Sequence, residues 1–145
     1  MNLNEYFKKL KLNKCIVVIV SRDEASKFIS EFSLKTKLKL KMDLKYRDSY
    51  VAVIDYKRDF VYEEKSQQKI ECSYKLNNQY INIVSMGLNA GFKSSIKIDN
   101  EEFCYNKTGL NIAIFNNKNL QLIDKFYVNS FTDKSLTIKR VGLDG

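Results

Sequence analysis

A chain of 145 residues, 44% hydrophobic and 29% charged with a net charge of +8, is long enough to bury one core and too apolar for disorder to dominate. It has no histidine, which removes the commonest general base, metal ligand and triad member, and its three cysteines, Cys15, Cys72 and Cys104, fall in no metal-type spacing. The odd thiol count, the lack of an apolar leader and the lack of any run of about 18 apolar residues point to a reduced, cytoplasmic protein with no membrane span, no cofactor and no metal site.

In chain order, Leu3, Tyr6, Phe7 and Leu10 recur at helical spacing, with Asn2 or Asn4 as a cap, so residues 3–11 read as a short amphipathic helix. The run Cys15-Ile16-Val17-Val18-Ile19-Val20 reads as a central strand buried on both faces, with Cys15 as a small buried hydrophobe. Ser21 or Asp23 then caps a second short helix carrying Ala25, Phe28, Ile29 and Phe32. Residues 34–45 alternate strictly, with Leu34, Leu38, Leu40, Met42 and Leu44 against Lys35, Lys37, Lys39, Lys41 and Lys45, which predicts a strand with a lysine face. A helix ending and a loop could share that stretch. Such lysines commonly serve solubility and block edge pairing.

Residues 50–55 form another buried strand, turning at 56–59 into a return strand at 60–63. A hairpin comes next, 70–76 and 80–84 around Asn77-Asn78, and then strands at 94–98, 102–105, 110–115 and 120–128. The predicted fold is α+β, mainly β: two packed β-sheets, sandwich-like, flanked by one or two short helices. Residues 1–135 make a single domain, and 136–145 a tail that adds a last strand or begins a connection.

Almost all the positive charge is lysine, and arginine occurs only at Arg22, Arg47, Arg58 and Arg140. Abundant lysine and asparagine without proline or tryptophan reads as compositional bias more than as a designed polyanion surface. Arg22 and Arg47 stand out, because a planar fork suits carboxylates and sugar hydroxyls. Both sit in polar patches at strand ends, Ser21-Arg22-Asp23-Glu24-Ala25-Ser26 and Tyr46-Arg47-Asp48-Ser49-Tyr50, where side chains meet a ligand or each other on a sheet rim.

These patches, with Ser94-Ser95-Ile96-Lys97-Ile98-Asp99, Gly109-Leu110-Asn111-Ile112-Ala113-Ile114-Phe115-Asn116 and Leu122-Ile123-Asp124, resemble the interleukin-like EMT inducer family, also called the GG or PANDER-like domain. The matching stretches span about two thirds of the chain. Family members occur in secreted cytokine-like proteins, in the stem of protein O-mannose N-acetylglucosaminyltransferase, in hyaluronan-binding animal proteins and as bacterial versions. The segment order differs from that of the animal proteins, so the chain resembles a circularly permuted bacterial version, which close surface termini would tolerate. Thr108-Gly109 stands where the family often has Arg-Gly, Tyr50 stands in place of a tryptophan, and the family's disulfide cysteines have no counterpart.

In the glycosyltransferase stem the aspartate and arginine matching Asp23 and Arg47 are implied to grip a sugar. The resemblance thus implies a non-catalytic, lectin-like module linked to surface polysaccharide or glycoconjugate assembly. Its ligand residues would be Asp23, Arg47, Asp48, Ser26, Tyr46 and Tyr50, with Tyr46 or Tyr50 offering a ring to the sugar. The same residues admit a structural reading: Asp23 and Arg47 pair with each other, or Asp23 caps a helix while Asp48 holds a tight turn.

A protein-interaction module, with a glycosyltransferase or another protein as partner, is the alternative. Nucleic-acid or polyanion binding through the lysine face ranks below it, because the chain has no recognition-helix or stacking motif. A carboxylate pair drawn from Asp23, Glu24 and Asp48 for glycoside hydrolysis ranks last, since two of the three are sequence neighbours.

Overall fold

The structure, a computed structural model, describes residues 1–87, 90–91 and 93–141. One α-helix, α1 (Leu3–Lys9), precedes nine strands: β1 (Cys15–Asp23), β2 (Ser49–Asp55), β3 (Phe60–Ser66), β4 (Ile70–Leu76), β5 (Gln79–Gly87), β6 (Ser94–Ile98), β7 (Glu101–Glu102), β8 (Gly109–Asn116) and β9 (Leu122–Val128). The mainly β, α+β class read from the sequence is the one observed. Among the described residues no helix is long and apolar enough to cross a membrane.

The helix starts as its sequence dictates. Asn2 accepts from the Glu5 backbone N–H at 2.9 Å while the Glu5 carboxylate accepts from the Asn2 N–H at 3.0 Å, a reciprocal capping box. Its inner face buries Leu3 and Phe7.

β1 is the hub of the sheet. β2 and β8 flank it antiparallel, β3 and β9 extend that five-stranded portion, and β4, β5, β6 and β7 make a second antiparallel portion. The two are continuous because β1 leaves β2 after Val20 and pairs its last residues in parallel with β5, Arg22 with Met86 and Asp23 with Gly87. A strand that switches partners in this way makes the corner between packed sheets.

The alternation of side chains along β1 then separates two cores. Val17 and Ile19 face a layer made by α1 and residues 25–42, together with Tyr50, Ile112 and Phe126. Ile16, Val18 and Val20 face Ile81, Ile83 and Ile96 of the second sheet portion. Both faces of β1 are therefore dry, which is why its sequence is apolar without interruption.

Two expected elements are absent. The segment after β1 forms no α-helix, because Asp23 takes φ 65° and Ser130 clamps residues 25–28, donating its hydroxyl to Ala25 O at 2.8 Å and accepting from Phe28 N at 2.8 Å. Only a 3-10 turn, Ile29–Glu31, remains. Residues 34–45 form no strand either: Leu38, Leu40 and Met42 are buried and Lys37, Lys39 and Lys41 exposed, yet no strand pairs with them. Their backbone is held by Lys35 O, which accepts from Leu38 N and Leu40 N, and by the Glu63 carboxylate, which accepts from Lys41 N at 3.1 Å and Met42 N at 2.7 Å. Positive φ at Lys39 and Met42 breaks any regular repeat. The alternation records an irregular cover over the core.

β7 is shorter than the strand expected at 102–105, because Glu102 turns its carboxylate onto Ile96 N at 2.7 Å and Cys104 N at 3.0 Å. The chain beyond 135 belongs to the domain: Leu136 is in the core, Thr137 bridges to Asn2 and Lys139 to Tyr127. Residues 142–145 of that segment lie outside the described residues.

Candidate functional site

The corner made by β1 assembles one rim. The end of β1, the start of β2, the end of β5 and the start of β8 meet there, since Asp23 pairs with Gly87 and Arg22 with both Met86 and Gly109. Ser85 locks the corner from inside. Its hydroxyl donates to Ser21 O at 2.7 Å and accepts from Tyr50 N at 3.0 Å, while the Ser21 hydroxyl donates to Asp48 O at 3.1 Å. The Ser49 hydroxyl accepts from Gly87 N at 2.8 Å.

Gly87 is required by contact. A Cβ there would stand 2.1 Å from the carbonyl oxygen of Arg47, so no larger residue fits without moving that turn. The turn itself is tight. Asp48 N donates to Lys45 O at 3.1 Å, Lys45 N donates back to Asp48 Oδ2 at 2.8 Å, Gln67 donates its side-chain amide to Asp48 Oδ1, and Arg47 sits at φ 63°.

Glu24 joins the two sequence patches. It is 2% exposed, and its carboxylate accepts from Ser26 N at 2.7 Å through Oε1 and from Arg47 N at 3.2 Å through Oε2. Two loops that are 23 residues apart are thereby fixed to one side chain.

Asp23, Ser26, Tyr46, Arg47 and Asp48 are therefore brought to one rim, but in different states. Asp23 is half-buried and accepts from the Thr108 hydroxyl at 3.3 Å. Tyr46 is 59% exposed, with the Arg47 guanidinium carbon 4.6 Å from its ring centre, in the range of a cation–π contact. Ser26 is engaged through its backbone N–H, and Asp48 is buried and holds the turn.

Among the described residues no ion pair joins Asp23 to Arg47, and Asp23 caps no helix; the structural role expected of Asp48 is the one seen. Tyr50 departs from the rim. Its ring lies in the core at 1% exposure and its hydroxyl donates to Glu63 at 2.7 Å, because inward positions of β2 face the layer beneath α1. It offers no ring face to a sugar.

Glu24, Gly87, Gln67 and Thr108 were not legible as site-building residues from composition or spacing. The signal for Glu24 and Gly87 is the long-range corner, which local patterns do not carry. For Thr108 the only sequence sign was its place before Gly109, whose φ of 105° opens β8.

Thiol chemistry has no foothold on this rim. Burial pushes the Cys15, Cys72 and Cys104 thiols up to about 11, so all three are protonated at neutral pH. Compared with protein-family models, curated proteins and solved structures, the chain matches none.

Proposed function

We propose that this protein is a non-catalytic carbohydrate-binding module whose ligand meets the rim at Asp23, Tyr46 and Arg47. The observation that carries this reading is the exposed Tyr46 ring with the Arg47 guanidinium over it, on the rim that also holds the Asp23 carboxylate. A sugar presents paired hydroxyls to a carboxylate, acceptor oxygens to a guanidinium and an apolar C–H face to an aromatic ring, and these three groups supply those partners. The likeness of the two patches to the interleukin-like EMT inducer family favours the same ligand class. A role in surface polysaccharide or glycoconjugate assembly rests on that likeness, and a cytoplasmic location on the odd count of three thiols.

The state of the carboxylates supports binding over hydrolysis. Glu24 uses both oxygens on backbone N–H groups and Asp48 uses both on Lys45 N and Gln67, so neither is placed to exchange a proton with a substrate. Rigidity supports it too, since a binding rim fixed by buried hydrogen bonds loses little conformational entropy on binding.

A protein partner is the second reading, favoured by Leu122 and Ile123, which are 37% and 51% exposed on β9 at the edge of the five-stranded portion. A glycan-array comparison of wild type, Asp23→Ala and Arg47→Ala, with thermal melts, separates the two. Glycan retention by wild type, lost in both folded variants, supports the module. No retained glycan and a captured protein partner would replace it with the second reading.

A further inference from the structure

We propose that a recess at the opposite end of the sheet binds the oligophosphate group of a small anionic ligand. The start of β1, the end of β2 and the end of β8 converge there. Their flanking turns border an open recess of about 510 Å³ lined by Asn13, Lys14, Tyr56, Lys57, Asn116, Asn117 and Lys118. That volume falls within the range of small-molecule sites. This inference is independent of the sugar-binding rim, which lies at the other ends of the same strands.

The floor of the recess is built. Asn117 is 3% exposed, donates its side-chain amide to Asn13 O at 2.9 Å and its backbone N–H to Lys14 O at 3.3 Å, and so ties the turn after β8 to the turn before β1. Asn77 donates to Lys118 O at 3.2 Å. The carbonyls of Lys14 and Lys118 are thus already engaged. Asn116 Oδ1 accepts from Lys118 N at 2.8 Å and Asn119 N at 3.3 Å, which leaves its amide N–H groups to donate outward.

The charge is of one sign. Lys14, Lys57 and Lys118 line the recess, no carboxylate does, and among the described residues none of the three has an acidic partner within 4.0 Å. Two acids lie two residues from Lys57: Asp55 is fully buried and accepts from Arg58 at 3.0 Å and from the Tyr74 hydroxyl at 2.6 Å, and Asp59 is exposed but does not line the recess. A concave surface lined by uncompensated cations concentrates the field and draws in anions. Three ammonium groups acting as point charges, with amide donors beside them, match a group that carries several negative oxygens on adjacent phosphorus atoms.

The test is a titration of the full chain, followed by amide NMR shifts and calorimetry at constant ionic strength, with inorganic pyrophosphate, ADP and sulfate. Lys14→Gln, Lys57→Gln and Lys118→Gln are compared with Lys97→Gln, an exposed lysine on β6. All four are surface changes that leave the core intact.

Pyrophosphate is expected to shift resonances of residues 13–14, 56–57 and 116–118, to bind more tightly than sulfate, and to weaken about tenfold for each recess variant but not for Lys97→Gln. ADP binding more tightly than pyrophosphate names a nucleotide as the source of the group, and equal binding names a free or sugar-linked phosphate. Shifts spread over lysines at large, or equal losses in Lys97→Gln, would overturn the proposal in favour of diffuse attraction by net charge.

Discussion

Glu24 accepts a hydrogen bond from the backbone N–H of Arg47 at 3.2 Å, and so one buried carboxylate sets the position of a residue 23 places further along the chain. This link adds to the strand corner and the Ser85 hydrogen bonds in bringing the two loops to one rim. Asp23, immediately before Glu24, and Arg47, immediately beyond the bond, are both held in left-handed conformation at φ 65° and 63°.

Replacing Glu24 with Ala leaves the N–H groups of Ser26 and Arg47 without their acceptor. A buried donor left unmade costs about 1–3 kcal/mol. Urea unfolding should show a loss of that size, and hydrogen exchange should speed up at Ser26 and Arg47 before it does in β1. Unchanged exchange at both amides would mean that other contacts hold the loops.

Gly87→Ala is the steric counterpart. The added methyl meets Arg47 O at 2.1 Å, a backbone atom that cannot rotate away, so the turn at 45–48 must shift. Overpacking of this kind costs about 1–3 kcal/mol. The melting temperature should fall and the Tyr46 and Arg47 resonances should move, whereas an unperturbed melt would show that the turn yields freely.

Much of this fold was readable because its signals are local. The run from Cys15 to Val20 announces a strand covered on both faces, Asn2 and Glu5 announce a helix start, and Asn77-Asn78 announces a hairpin. The lysine alternation at 34–45 misled because burial with a period of two has two causes, a pleated strand or an irregular cover whose apolar residues each find the core. Here the Lys35 carbonyl and the Glu63 carboxylate, the latter on a distant strand, hold the irregular cover. The site was half legible for the same reason: Asp23 and Arg47 are conspicuous in sequence, but the residues that bring them together act through tertiary contacts. Tyr50 lay in the same patch as Arg47 and yet points inward, because Arg47 belongs to the turn before β2 whereas Tyr50 takes an inward position of that strand, with Ala52 and Ile54.

Acid should weaken the attachment of the C-terminal segment. Burial pushes the Asp124 carboxyl up, but the Arg140 guanidinium, at 2.6 and 3.1 Å, and the Tyr6 hydroxyl, at 2.8 Å, outweigh it and hold the group below its ordinary value of 3.8. A carboxyl whose pKa is lower folded than unfolded contributes stability above the unfolded value and loses it as pH falls through the folded one. Stability should therefore decline below about pH 4, and Arg140→Gln should flatten that part of the profile while lowering stability at neutral pH. An Arg140→Gln profile parallel to wild type would remove Asp124 from the account.

Arg47→Gly should be slightly stabilising. A non-glycine residue in left-handed conformation costs about 1 kcal/mol, which glycine relieves, although glycine's greater freedom in the unfolded chain offsets part of the gain. The melting temperature is expected to stay level or rise. A fall would mean that the stack on Tyr46 contributes more to the fold than the strain removes.

That variant also gives the most direct test of the sugar-binding role proposed for the rim, because it is expected to remove the guanidinium without loosening the scaffold. The measurement is retention of wild type and Arg47→Gly on a glycan array, with a melt of each sample. The expected result is a glycan held by wild type and released by a variant that is at least as stable. Equal retention by the two proteins, or no glycan retained by folded wild type, would contradict it.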